Sequence, residues 1–204
     1  VDRLPGVDGF AVVTGRSYLP GGSGTNVITQ AARLGARTAY IGKVGDDQLG
    51  TQIIESLRSE GVDTAGMRVL TGGTSLSTTV VVDAAGDRFI LLDLGDAFGS
   101  LSAEEVDVDT IADAKVFYTD LVPPAAARAG IEAARAAGVP VVIGLEVGLN
   151  TMAGLGVSRE DVLAAVAQAT VFLPCREGLT DLCGSDDVAA GLDFLASHCP
   201  GLSI

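Results

Sequence analysis

Between about residue 103 and residue 197 short apolar runs alternate with longer amphipathic ones, and this rhythm constrains the fold more than any other feature. Strand-like runs at 114–119, 140–146 and 170–173 are separated by helical stretches at 124–137 and 159–168. Further helices are expected near 103–111, 177–183 and 186–197. Strands joined by helices of this length favour parallel pairing through right-handed crossovers, in a sheet with both faces covered. Composition agrees. The 204 residues are 48% hydrophobic but only 4% aromatic, so one domain with an aliphatic Ala, Val, Leu and Ile core is expected. The fold class is α/β.

Upstream of residue 100 the rhythm is interrupted. A helix over 26–34 capped by Thr25, a strand at 38–43 and a helix near 48–60 stopping at Gly61 continue the alternation. Residues 10–20 read instead as a strand pair or a bent strand. Runs at 77–83 and 88–93, joined by Ala84-Ala85-Gly86-Asp87, read as a hairpin. The two β-rich pieces, about 8–20 and 76–94, are expected to form a small separate sheet beside the main layer, placed as a lid.

Charge excludes several functions. With 26 acidic and 13 basic residues the net charge is −13, which repels nucleic acid and anionic membrane surfaces. ATP is repelled at long range too, so a nucleotide site must be made locally from backbone amides and a few placed cations. No run of about 18 uncharged apolar residues is present, and the first residues carry neither a basic start nor an apolar core typical of a secretion signal. Cys175, Cys183 and Cys199 are odd in number and off zinc-finger spacing, which points to reduced thiols and a cytoplasmic setting. One histidine, His198, leaves no material for multi-histidine metal sites or a histidine-based triad. His198 and Cys199 are adjacent, so on a helix end they point different ways. Neither a P-loop nor a dinucleotide-binding glycine motif occurs.

The chemistry-bearing stretch is Gly21-Gly22-Ser23-Gly24-Thr25-Asn26, opening a helix. Glycine lets a backbone approach a ligand closely, and helix-start N–H groups suit oxygen-rich ligands. Its spacing to Arg33-Leu34-Gly35 and to Gly45-Asp46-Asp47 resembles the N-terminal signature of the ribokinase-like, or PfkB, family of sugar kinases. Ile28 departs from it, since the family usually has a small residue there. The resemblance implies a three-layer α/β/α domain with a mostly parallel sheet and a small β-sheet lid, spanning 1–204 and incomplete at both ends. It implies phosphorylation of a sugar hydroxyl with ATP as donor and Mg2+, and no metal site is assigned to this chain's own residues. Gly21 and Gly22 let the lid hinge, and the Asn26 amide, both donor and acceptor, bonds sugar hydroxyls. Some relatives carry Lys where this chain has Ser23.

Two acidic residues end expected strands. Asp120 follows strand 114–119 and Glu146 ends strand 140–146; ligands of open parallel sheets sit beyond such strand ends. Both are candidate contacts, Asp120 for sugar hydroxyls and Glu146 toward the phosphate end, although either could simply cap a helix. The Gly45-Asp46-Asp47-Gln48-Leu49-Gly50 segment matches the family's Gly-x-Asp-x-x-Gly and is read as architecture. At Cys175-Arg176-Glu177-Gly178 many relatives have Asn-x-x-Glu, linked to magnesium and phosphate placement. Here those positions are Cys175 and Gly178, and Glu177 reads as a solvated first-turn residue. No catalytic residue is assigned, because the family's catalytic Asp, in a Gly-Ala-Gly-Asp segment, is expected beyond Ile204. The first-strand Asp that grips the sugar is expected before Val1. Two alternatives stand beside the sugar kinase: an inactive, sugar-holding regulator, favoured by Cys175 and Gly178, and a nucleoside kinase of the same fold. Relatives pair lid strands between subunits, which implies a homodimer.

Overall fold

Residues 1–203 are described by a computed structural model, in which the β-branched runs become strands and the alanine-rich runs become helices. Helix α1 (Ser23–Arg33) comes first, followed by a βαβ unit of β1 (Gly42–Gly45), α2 (Gln48–Ser59) and β2 (Met67–Leu70). In that unit β1 and β2 are parallel, with Gly42 opposite Met67 and Gly45 opposite Leu70. Strands β3 (Ser77–Val82) and β4 (Arg88–Asp93) form an antiparallel hairpin. Two 3-10 turns, Phe98–Ser100 and Ala103–Glu105, lead to the short α3 (Val108–Ala112). The alternating half follows: β5 (Phe117–Thr119), α4 (Pro124–Ala136), β6 (Val141–Leu145), α5 (Leu149–Gly154) and α6 (Arg159–Val166). It ends with β7 (Val171–Pro174), α7 (Arg176–Cys183), α8 (Val188–His198) and β8 (Leu202–Ser203).

The last four strands make one parallel sheet in the order β5-β6-β7-β8. Its centre is dry: Val141, Ile143 and Leu145 on β6 and Phe172 on β7 have no exposed surface. A strand buried on successive residues needs cover on both faces, which two helix groups supply, α4 with α3 and α6, and α7 with α5 and α8. Local signals seat these helices. Pro124 occupies the first turn of α4, and Ser158 with Asp161 closes a capping box on α6. Gly184, at φ 72°, ends α7 in the left-handed region.

The parallel sheet, its helices and the hairpin agree with the sequence reading; four local expectations do not. Residues 10–20 form no strand: Phe10, Tyr18 and Leu19 are more than four-fifths exposed, and the small sheet is the hairpin alone. Gly9, Gly15 and Pro20 interrupt any period-two pattern, and the backbone there is tied instead by the Val12 N–H donating to Asp2 Oδ1 at 2.9 Å. Helix α1 starts at Ser23, so Thr25 lies inside the first turn and is not the cap. The strand expected at 38–43 is reduced to β1, which begins at Gly42, after a single bridge from Ala39 to Asp63. The helix expected near 103–111 breaks in two because Asp107 caps α3, accepting from the Thr110 N–H at 3.0 Å. Strand β2 and helix α5 were not foreseen.

The hairpin leaves its apolar residues in water. Every residue of β4 is exposed, Ile90 and Leu91 by 56% and 59%. Its base, by contrast, is anchored by carboxylates. Asp96 accepts from the Thr74 N–H at 2.5 Å, Asp46 from the Gly72 N–H at 2.8 Å, and Asp47 from the Ser75 N–H at 2.8 Å.

Candidate active site

Three pieces of chain meet past the carboxyl ends of β5 and β6: the start of α1, residues 118–120, and Glu146. Gly22 stands at the α1 N-cap with φ 101°, a conformation open to glycine and costly to other residues, and no side chain caps the helix. Ser23, next in line, donates its hydroxyl to Asp120 Oδ2 at 2.5 Å. This bond pins the helix start to the end of β5. Asp120 also accepts a long bond from the Val122 N–H at 3.4 Å. Between them Leu121 is buried and has φ 71°, a rarely populated conformation for a branched residue, held by the Thr119 hydroxyl accepting from its N–H at 3.0 Å.

Tyr118 and Asp120 are two apart, so one strand period turns both to the same side. The Tyr118 hydroxyl donates to Glu146 Oε1 at 3.3 Å, bridging β5 to β6. Gly144 makes that approach feasible, because a Cβ there would collide with the Tyr118 hydroxyl and lie 2.6 Å from Glu146 Oε1. Tyr40 fills the gap toward α1. A Cβ on Gly24 would stand 3.2 Å from its hydroxyl and 3.8 Å from Asp120 Oδ2, and a Cβ on Gly42 would stand 2.8 Å from its ring. Both phenols titrate above their usual range. For Tyr118, burial comes first, then the charges of Glu146 and Asp120. For Tyr40, burial is reinforced by Asp120 and partly offset by a hydrogen bond from Thr25.

Of the residues singled out in the sequence, Gly22, Asp120 and Glu146 are brought to this mouth, and Gly21 is exposed just before it. Asn26 is exposed in the next turn of α1. Its N–H donates to the Gly22 carbonyl at 2.9 Å, and its side chain has no hydrogen-bond partner among the described residues. Ser23, Tyr40 and Tyr118 were missed. Tyr118 had a signal, one of three tyrosines in an aromatic-poor chain, two residues before a singled-out Asp. His198 is structural: its ring stacks on Phe194 with centroids 4.1 Å apart, and Nδ1 lies 2.9 Å from the Phe194 carbonyl. Two clefts, one between α7 and α8 and one between α4 and α6, include none of the mouth residues.

Residues 9–198 match the model of the pfkB family carbohydrate kinases. The chain belongs to this family. Among similar PfkB-type proteins, "Probable fructokinase-4" of Arabidopsis thaliana is 29% identical over 197 residues, covering 92% of this chain and 60% of its own length. Fructokinase-1 of Zea mays is 34% identical over 121 residues, 58% of this chain and 38% of the maize protein. The crystal structure of adenosine kinase from Sinorhizobium meliloti superposes with a TM-score of 0.77 at 28% identity, covering 88% of this chain and 56% of that one. The chain therefore spans about half the length of the relatives it matches, and its fold is the ribokinase-like three-layer α/β/α arrangement. Among the described residues no helix is long and apolar enough to cross a membrane.

Magnesium, which the PfkB resemblance implies, does not fit the residues present where the family's Asn-x-x-Glu would lie. The ion takes oxygen ligands. Cys175 offers sulfur, and its Sγ already caps α7 by accepting from the Gly178 N–H at 3.3 Å. Gly178 has no side chain, and a Cβ there would sit 2.6 Å from Leu145 Cδ2 and 3.1 Å from the Val147 carbonyl oxygen. Asp181 is engaged by the Leu149 N–H at 2.7 Å, and a Cβ on Gly148 would stand 2.5 Å from Glu177 Oε1. Among the described residues no group of three or more potential ligands is placed to hold a metal.

Proposed function

We propose that this protein is an ATP-dependent kinase that phosphorylates a hydroxyl of a small sugar. The Ser23–Asp120 bond carries this reading, because it brings the uncapped, glycine-led start of α1 onto the strand ends where Glu146 also stands. Asn26, three residues after Ser23, lies on the same side of α1 and offers a free amide to sugar hydroxyls. Gly21 and Gly22 give the backbone freedom to follow the hairpin as it closes, and closure excludes water from phosphoryl transfer. No residue of the described mouth is assigned as the base that deprotonates the attacking hydroxyl. Three free cysteines and the acidic surface fit a cytoplasmic enzyme without nucleic-acid or membrane partners. The S. meliloti adenosine kinase favours a second reading, a nucleoside acceptor at the same mouth.

ADP release by the whole gene product, with ATP and magnesium, over pentoses, hexoses, sugar acids and nucleosides tests the proposal. Turnover of one sugar is expected, with Asn26→Ala raising its KM at least severalfold. A folded protein that binds sugars without ADP release establishes the regulator instead, and an unchanged KM removes Asn26 from the site.

The bare hairpin calls for a partner, and a second copy of the same hairpin satisfies it, giving a homodimer through the lid. Val80, Ile90 and Leu92, on one face of the hairpin and exposed by 47–56%, supply the contact. Light scattering should give twice the chain mass, and Ile90→Glu should return the monomer. A monomeric parent protein overturns the assignment.

A further inference from the structure

We propose that Tyr118, Glu146 and Asp120 make the mouth selective for uncharged acceptors, so that it takes a neutral polyol and turns away the corresponding aldonic or uronic acids. The inference rests on the carbohydrate-kinase reading and narrows its substrate class. Its first support is the donor and acceptor inventory. Ionised carboxylates only accept hydrogen bonds. Glu146 uses Oε1 for the Tyr118 hydroxyl, and Oε2 has no partner among the described residues. Among the described residues Asp120 is met by the Ser23 hydroxyl and, at 3.4 Å, by the Val122 N–H alone. A ligand docking here must bring donors, as sugar hydroxyls do. A ligand carboxylate brings none.

Its second support is the absence of compensating charge. Neither Asp120 nor Glu146 belongs to any ion pair among the described residues; the four pairs present lie elsewhere, at Arg3–Asp2, Arg33–Glu60, Lys43–Glu105 and Arg128–Asp161. The groups that act electrostatically on Tyr118 are Glu146, Asp120 and the neutral Tyr40 phenol. One feature of the mouth does attract anions: the amide-rich start of α1. Asp120 stands beside that start without capping it: its Oδ2 accepts the Ser23 hydroxyl and lies 3.8 Å from where a Gly24 Cβ would be, so an anion approaching the free N–H groups meets the protein's own carboxylate. A charged acid would face two carboxylates that no cation among the described residues pairs, an arrangement that disfavours binding strongly.

Tyr118 sets the direction of Glu146. Its phenol holds one carboxylate oxygen and leaves the other toward the ligand, while Gly144 keeps the space between them open. Selectivity should therefore depend on the charge of Glu146 and on its tether separately.

The test compares equilibrium binding to the whole gene product, by calorimetry, of neutral sugars and their acids in matched pairs: D-glucose with D-glucuronate, D-ribose with D-ribonate. The neutral member of the accepted pair should bind at least tenfold more tightly than its acid. Glu146→Gln, which keeps shape and a hydrogen-bonding oxygen, should narrow that gap at least threefold. Tyr118→Phe should weaken the neutral sugar while leaving the gap less affected than Glu146→Gln does. Acids binding as tightly as neutral sugars, or a gap untouched by Glu146→Gln, overturn the inference while the kinase reading stands. Selective binding without ADP release overturns the kinase reading and leaves the selectivity intact. Failure of every sugar to bind overturns both.

Discussion

Asp47→Ala is expected to lower unfolding free energy by about 2–4 kcal/mol, the sum of a lost helix cap and stranded donors. The side chain does three tasks at once. Oδ1 accepts from the Gly50 N–H and from the Ser75 hydroxyl, both at 2.7 Å, and Oδ2 accepts from the Ser75 N–H at 2.8 Å. Ser75 is only 4% exposed and its oxygen in turn accepts from the Gly45 N–H at 2.9 Å. Removing the carboxylate uncaps α2 and leaves the buried turn at the base of the hairpin without its acceptor. Asp47→Asn keeps one acceptor and should fall between. Urea denaturation checks the series, and an alanine variant within about 0.5 kcal/mol of the parent, an ordinary surface change, refutes it.

The same contacts set a pH dependence. Asp47 is held below the usual carboxylate range by the Ser75 N–H first, then the Ser75 hydroxyl and the Gly50 N–H. Its stabilising contribution is complete above the unfolded-state value, near the ordinary 3.9 or so, and is lost as pH falls through the lower folded value. Asp96, Glu105, Asp107 and Asp161 are shifted the same way, so acid should destabilise the parent protein, and Asp47→Ala should reduce that sensitivity without abolishing it.

Gly144→Ala should disable the mouth while sparing the fold. The added methyl meets the far ends of two side chains, the Tyr118 hydroxyl and Glu146 Oε1, both of which can swing away from the sheet. That swing breaks the 3.3 Å bond between them and redirects Glu146. The expected outcome is at least a tenfold loss in sugar affinity, about 1.4 kcal/mol, with the cooperative unfolding transition preserved. Unaltered affinity in Gly144→Ala would show that Glu146 does not contact the acceptor.

Periodicity was enough to read the sheet. Val141, Ile143 and Leu145 are a buried strand in sequence as in structure, whereas α1 begins at Ser23, directly after the glycine pair and three residues before the expected start. Asp120 and Glu146 are singled out because strand ends are where parallel sheets bind ligands, and the structure brings both to those ends. Other features depend on long-range partners and left weaker traces. Tyr40 joins the mouth only because Gly24 and Gly42, from different elements, make room for it. Met67–Leu70, four residues with no alternating pattern, becomes a strand because β1 lies beside it. Residues 10–20 failed in the opposite sense, with β-forming composition and no neighbouring strand to pair with.

The packing of Leu145 against Gly178 has an evolutionary consequence. Any side chain introduced at position 178 meets Leu145 Cδ2 at 2.6 Å and the Val147 carbonyl oxygen at 3.1 Å, so a lineage changing this position must also move Leu145. Leu145, fully buried at the end of the central strand, would have to shrink first, and that intermediate would bear a cavity. Change at Gly178 is therefore coupled to change at Leu145, and either one alone costs stability.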